Sequence, residues 1–367
     1  MVTFYNCFHG DCVFISDTIT LPNGTSEQVK LYVDLGPARF HIPNPVPDAD
    51  LLISHSDNDH CLGKASTLNP RRIFVPAFYM EMVIILHKLV THRNLSIHNY
   101  PVLAHKFIPV DESHPLVYAP NLTWDVFNPI RNLWMDWLPT QVSLTSLKTT
   151  LNNFLSNNHV DADIDALIEL SKGAQAFYSD GVADVSDDEL ERFVLAVTYR
   201  IYQYANTRHG GISISRAVSL FKCSEVNDYS IVFKFIDSNG KSFLFTGDAP
   251  CCVYTRNYTN KSVQSDVLKV PHHGSNTGFD MDHITQSTPP YSDVLNNINP
   301  KVMVVSHGDH KSGPPDVEVI RFLNNQQPNR LLLLTEDIVN NVNLRPNESY
   351  TGVHTPYLIQ GINAEIR

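Results

Sequence analysis

The segment His55-Ser56-Asp57-Asn58-Asp59-His60 places four potential metal ligands within six residues. Two are imidazoles and two are carboxylates. A tight loop can turn alternate side chains toward one point, and this mixture of donors suits zinc, manganese or iron. Taken alone, the segment also reads as a polar surface loop, because Ser, Asp and Asn favour turns. Its surroundings decide for a site. The apolar run Leu51-Leu52-Ile53-Ser54 ends directly at His55. Ser242–Thr246 runs into Gly247-Asp248, and Val267–Val270 into Pro271-His272-His273-Gly274-Ser275. Lys301–Val305 runs into Ser306-His307-Gly308-Asp309-His310. Four strand-like runs thus end in potential ligands, and in layered sheets sites collect at strand ends, where loops converge. The chemistry that such a cluster serves is metal-assisted hydrolysis.

The elements that must position these residues are mostly strands. Val13-Phe14-Ile15 and Leu31-Tyr32-Val33 are short apolar runs, separated by the turn residues Pro22-Asn23-Gly24. Residues 77–90 are long enough for a helix and apolar on most sides, which predicts burial. Residues 100–125 are punctuated by Pro and read as irregular. The stretch 130–210 reads as helical. Ser186 and Glu189 form a capping box, followed by Leu190, Phe193, Val194, Val197 and Ile201 at helical spacing, and Ile164, Leu167 and Ile168 mark another helix. From 211 onward strands return, and Asp316–Asn324 reads as a short helix after Pro314-Pro315. The expected division is a core of 1–75 and 211–367, with 76–210 partly a core helix and mainly a helical insertion. That insertion would serve as a cap over the site or as a surface for homodimerisation.

Composition sets the outer bounds. The chain has 367 residues, is 43% hydrophobic and 18% charged, and carries a formal net charge of −11. Its longest basic cluster is Arg71-Arg72, so no strong nucleic-acid-binding footprint is visible. The expected substrate is small and anionic, drawn to bound metal. No signal peptide or membrane span is apparent, and none of the six cysteines forms a Cys-x-x-Cys pair, so the expectation is a cytoplasmic protein with reduced thiols. Histidines without a partner motif, such as His41, His87 and His354, read as ordinary surface or core residues.

These motifs resemble the metallo-β-lactamase-fold hydrolases, whose signature is His-x-His-x-Asp-His after a strand, then a bridging Asp and a further His. More narrowly, the chain is similar to the hydrolase domain of the bacterial competence DNA-uptake channel protein and its soluble relatives. The residues carrying the likeness are His9-Gly10-Asp11, Asp34-Leu35-Gly36, Asn227-Asp228-Tyr229-Ser230, Thr246-Gly247-Asp248 and Lys269-Val270-Pro271-His272-His273-Gly274-Ser275. They cover about 1–75 and 211–335 and leave out the insertion.

The resemblance implies an α/β fold, a four-layer αββα sandwich, holding two divalent metal ions. His55 and Asp57 would hold the first ion, Asp59 and His60 the second, and Asp248 would bridge them. One of His272 and His273 would complete the second site, with His272 favoured because it lies closer to the strand. The other, with Ser275, would contact substrate or move a proton, and Asp59 would orient or deprotonate the attacking water. Asp57 stands where the family has a second His, and its harder carboxylate brings iron and magnesium into range beside zinc and manganese. Gly313-Pro314-Pro315 replaces a family Gly-His-Pro, with His307 and His310 nearby as substitutes, and Asn227 or Asp228 stands where a third ligand of the first ion is expected. The implied activity is phosphodiester hydrolysis, as a nuclease or a phosphodiesterase of cyclic or small nucleotides. The alternatives are hydrolysis of another ester, amide or thioester, and a degenerate member that binds or regulates without turnover.

Overall fold

The structure is a computed structural model describing residues 1–5, 7, 10–61, 68–95, 107–179, 185–206, 211–276, 291–307, 315–325, 330–335 and 364–366. His9, His310, Gly313 and Pro314 lie outside the described residues.

Short runs of alternating apolar residues build two mixed sheets. The first joins β1 (Val2–Phe4), β2 (Val13–Thr20), β3 (Ser26–Val33), β4 (Asp50–Leu52), β5 (Ile73–Pro76) and β6 (Phe107–Val110) in that order, with β14 (Ala364–Ile366) outside β1. The second runs β7 (Leu116–Ala119), β8 (Leu122–Asn128), β9 (Val232–Ile236), β10 (Ser242–Phe245), β11 (Val267–Lys269), β12 (Val302–Val305) and β13 (Leu331–Leu334). Each sheet is antiparallel in one half and parallel in the other. Successive side chains of a strand point to opposite faces. Leu52 and Phe74 therefore enter a core between the sheets, where they meet Phe233, Phe235, Phe243 and Phe245. Their neighbours Leu51, Ile53, Ile73 and Val75 point the other way, onto Met80 and Ile84 of helix α2 (Tyr79–Thr91). Each such fully buried side chain contributes roughly 1.5–3 kcal/mol. On the far face of the second sheet, Val253, Val294, Leu295 and Leu323 from three short helices cover Val232, Leu244 and Met303.

A helical layer sits on α2. Met82, Ile85, Leu86 and Leu89 of α2 pack into a cluster with α3 (Leu144–Asn157), α4 (Ile164–Lys172), α5 (Asp187–Asn206) and α6 (Ile214–Phe221). Burial of α2 on both sides explains why its sequence has no clean polar stripe. The side chains of Ser143, Asp163 and Ser213 cap three of these helices, and Ser186 accepts the Glu189 N–H at 3.2 Å. Caps of this kind are worth about 1 kcal/mol each.

Two expectations shift. Residues 107–128 hold three strands rather than irregular chain. Pro109 is tolerated because β6 is a sheet edge, where one missing N–H leaves no partner strand unpaired. The helical layer also extends past 210, since α6 and a π-helical turn at Lys222–Val226 precede the return of strands at Val232. Ile214, Ala217, Val218 and Phe221 recur at helical spacing and bury one face of α6. No helix of the described residues is long and apolar enough to cross a membrane, and all six cysteines are free thiols.

Candidate metal centre

The carboxyl ends of β4, β10, β11 and β12 meet at one place between the sheets. Ser54 and His55 follow β4, Asp248 follows β10, His272 and His273 follow β11, and Ser306 follows β12. The short helix α1 (Asn58–Cys61) brings Asp59 and His60 back over β4. Two glycines permit the close approach. A Cβ on Gly10 would lie 2.0 Å from the Asp59 carbonyl oxygen, and Gly247, at φ 49°, would bring one to 2.9–3.0 Å from Ser230 and Ser54.

One half of the centre has the dimensions of a metal site. His60 Nε2 lies 3.2 Å from His273 Nε2 and 3.4 Å from Asp248 Oδ1. His273 Nε2 lies 3.6 Å from Asp59 Oδ2 and 3.7 Å from Asp248 Oδ1. A tetrahedral zinc ion with ligands at about 2.0–2.2 Å requires ligand–ligand separations of about 3.3–3.6 Å. The other carboxylate oxygen of Asp248 faces a second pair of imidazoles, with His272 Nε2 at 3.6 Å and His55 Nε2 at 3.8 Å. The side chains of Asp11, His60, Asp248 and His273, all buried, offer ligand atoms within 4.8 Å of one another and could hold a metal ion.

The outer contacts fix which nitrogen faces inward. His60 Nδ1 is 2.8 Å from Asp34 Oδ2, His273 Nδ1 is 3.0 Å from the Ser306 carbonyl, and His55 Nδ1 is 3.0 Å from Ser54 Oγ. Asp34 is itself held by the Ser54 N–H and hydroxyl, each at 2.7 Å. Partners of this type leave Nε2 as the metal-facing atom and orient the ring. Two Nε2 atoms then confront each other at 3.2 Å, and His55 Nε2 is buried with no hydrogen-bond partner. A proton or a metal ion between the two facing nitrogens would satisfy both.

Carboxylates concentrate at the same place. Asp11, Asp34, Asp59 and Asp248 converge here, and the buried ammonium is that of Lys269, paired with Asp11 and 3.9 Å from Asp248. Burial would depress the imidazoles of His60 and His273. Asp248 leads the carboxylates that outweigh it, lifting His60 well above its ordinary range and His273 to about 10. Burial works against ionisation of Asp59 too, but His60 and His273 bring it down to about 2. Asp248 is held well below the usual carboxylate range, as His60, His272 and His273 overcome its burial. His55, where burial dominates and His60 adds to it, falls to about 3 and stays a neutral donor.

The expected site residues are thus distributed unevenly. His55, Asp59, His60 and Asp248 come together. His273, rather than His272, stands beside His60 and Asp59, while His272 stands beside the other oxygen of Asp248. The cause lies in the backbone. His272 and His273 both adopt left-handed φ, 48° and 52°, a strained state for residues with a Cβ that sends adjacent rings to opposite sides of Asp248. Among the described residues no ion pair joins Asp57 to a histidine of the centre, and burial raises its carboxyl to about 7. Ser275 is buried after the histidine turn. Val226 and Tyr229 share a cavity of about 20 Å³ with His55, which places 227–228 near the His55 side of Asp248. Asp11, Asp34 and Lys269 carry much of the electrostatics, yet the sequence reading assigns them no role. Their signal was present in Gly10-Asp11, in Asp34 ahead of Gly36, and in the Lys that ends β11.

No protein-family model matches the chain, and no curated protein is recognisably similar to it.

Proposed function

We propose that the chain is a metallo-β-lactamase-fold hydrolase with two divalent ions bridged by Asp248, acting on phosphodiesters. The observation that carries this reading is the division of ligands about one carboxylate. His60 and His273 face Asp248 Oδ1, with Asp59 beside His273, and His55 and His272 face Oδ2. A carboxylate with imidazoles on both oxygens is built to bridge. The nitrogen-rich donor set favours zinc, with manganese next.

When bound, such ions supply an activated water at neutral pH and neutralise charge that develops on a transferring phosphoryl group. The protein's own residues prepare that chemistry. Asp34, Ser54 and Ser306 hold three imidazoles in one tautomer, so no reorientation is needed when substrate arrives. Lys269 keeps Asp11 ionised behind His273. Asp59 is one-third exposed, and is the carboxylate of the centre that reaches solvent to orient a water. His272 is the partly exposed imidazole, placed to meet substrate from the open side.

The test is metal analysis together with turnover. Purified protein is expected to carry about two transition-metal ions per chain and to hydrolyse bis-p-nitrophenyl phosphate. Both properties should fall in Asp248→Ala. A folded preparation that takes up no metal would sink the proposal. Turnover of carboxylic esters without phosphodiesters would move the reading to another ester, amide or thioester.

A further inference from the structure

A cavity of about 370 Å³ lies between α2 and α6, floored by Ile53 and Phe107 of the first sheet. Tyr79, Val83, Leu86 and Val90 of α2 line it, at steps of four, three and four residues. One helix face therefore borders it for about three turns, or about 16 Å. Ser215, Ser219 and Lys222 line the opposite wall in the same rhythm. The space is thus a slot rather than a bowl. Its volume falls in the range of about 300–1,000 Å³ typical of small-molecule sites, which combine apolar walls with a few placed polar groups.

The polar groups tie the slot to the metal centre. Ser56 and Cys61 belong to the loop that carries His55 and His60, and both line the cavity. The Ser56 hydroxyl is buried, at 8% exposure, and has no hydrogen-bond partner among the described residues. A buried hydroxyl without a partner is costly, so a ligand that supplies one is favoured there. Lys222, whose ammonium acts on neighbouring Asp57, adds a positive charge. It opens a π-helical turn, a local widening that recurs at functional sites.

We propose that this slot receives the single alkyl or acyl chain of a small anionic substrate, its charged head held by Ser56 and Lys222 beside the metal loop. A slot about 16 Å long with mostly apolar walls fits a chain better than a planar ring, and the lysine complements an anion. The catalytic meaning of this assignment rests on the hydrolase reading, but chain binding does not.

The experiment is calorimetric titration of the full chain with n-alkyl phosphates from butyl to decyl, each below its micelle concentration, with and without a chelator. Affinity is expected to rise with every methylene, toward the limit of about fourfold per group set by full burial, and to do so in metal-free protein as well. Val83→Trp and Ser219→Trp, at half-exposed and exposed lining positions, should flatten the series while thermal melting stays unchanged. Lys222→Gln should weaken all members by a similar factor and keep the slope. Equal affinities for butyl and decyl phosphate, or a slope that survives in both tryptophan variants, would overturn the slot. Unchanged affinities in Lys222→Gln would overturn the placement of the head. A chain slope without hydrolysis of any phosphodiester or ester would remove the hydrolase reading and leave the slot standing, and turnover without a slope would do the reverse.

Discussion

Two buried acidic networks lie on either side of the first sheet, and they differ in whether they close. Between α2 and the segment after α4, Glu81 accepts the Tyr178 hydroxyl at 2.6 Å and the Gln175 amide at 3.3 Å, and Tyr178 in turn accepts the Met80 N–H. Every polar atom named there has a partner inside the protein. At the strand ends the reverse holds. His60 and His273 present nitrogens to each other, His55 Nε2 and Asp248 Oδ1 lack hydrogen-bond partners among the described residues, and four carboxylates crowd one lysine. Burial of polar groups is tolerable only when they are satisfied. A closed network stabilises and specifies the fold. An open one, held rigid from outside by Asp34, Ser54 and Ser306, is a place where a metal ion could be held.

The contrast can be broken or sharpened by experiment. The largest effect is expected in Asp248→Ala, which removes the carboxylate shared by both halves. Phosphodiesterase activity should fall by well over the roughly 10–100-fold that outer-partner changes cost, as read by steady-state kinetics with bis-p-nitrophenyl phosphate. Chelation gives the matching control. Metal removal should lower the melting temperature of the native chain, by about 2.7 kcal/mol of stability for metal at 100 times its dissociation constant. It should leave Asp248→Ala unmoved, and an equal shift in both would mean that the open network holds no metal.

The closed network predicts a different dependence. Burial raises the Glu81 carboxyl from 4.5 to about 7. The fold therefore prefers its neutral form, and the stability this preference contributes is complete below pH 4.5. It is lost as pH rises from 4.5 to about 7, at about 1.4 kcal/mol per unit, for about 3 kcal/mol in all. Glu81→Gln should remove that slope in denaturant titrations from pH 4 to 8 while leaving the response to chelator unchanged. The smallest expected change is in Asp34→Asn, which alters the partner of His60 Nδ1 without touching Nε2. Metal affinity should drop about 10–100-fold, with the fold intact by circular dichroism. An unaltered affinity would show that the outer shell does not orient the ring.

Much of the frame was legible in the sequence. The runs before His55, Asp248, His272 and Ser306 are strands ending where ligand-type residues begin. Period-two patterns report which face of a strand is buried, and that information is local. The strands at 107–128 were hidden because Pro109 and short lengths mimic loop chemistry, and an edge strand tolerates what a central one does not. Helix α6 was overlooked although its apolar spacing is regular, since eight residues make a weak periodic signal beside the strand that follows.

The sequence by itself determined that strand ends would carry His and Asp, and that His55–His60 would lie among them. Only the tertiary structure decided the pairing. His272 and His273 are chemically identical neighbours, and two left-handed φ angles send one to each oxygen of Asp248. Asp57 stands at a position of the motif yet pairs with none of these histidines, while Asp11 and Asp34 arrive from distant strands to serve His273 and His60. Side-chain direction in a loop follows backbone torsions that the whole fold imposes. His60 and His273 are 213 residues apart, and no local spacing encodes the 3.2 Å that brings them together.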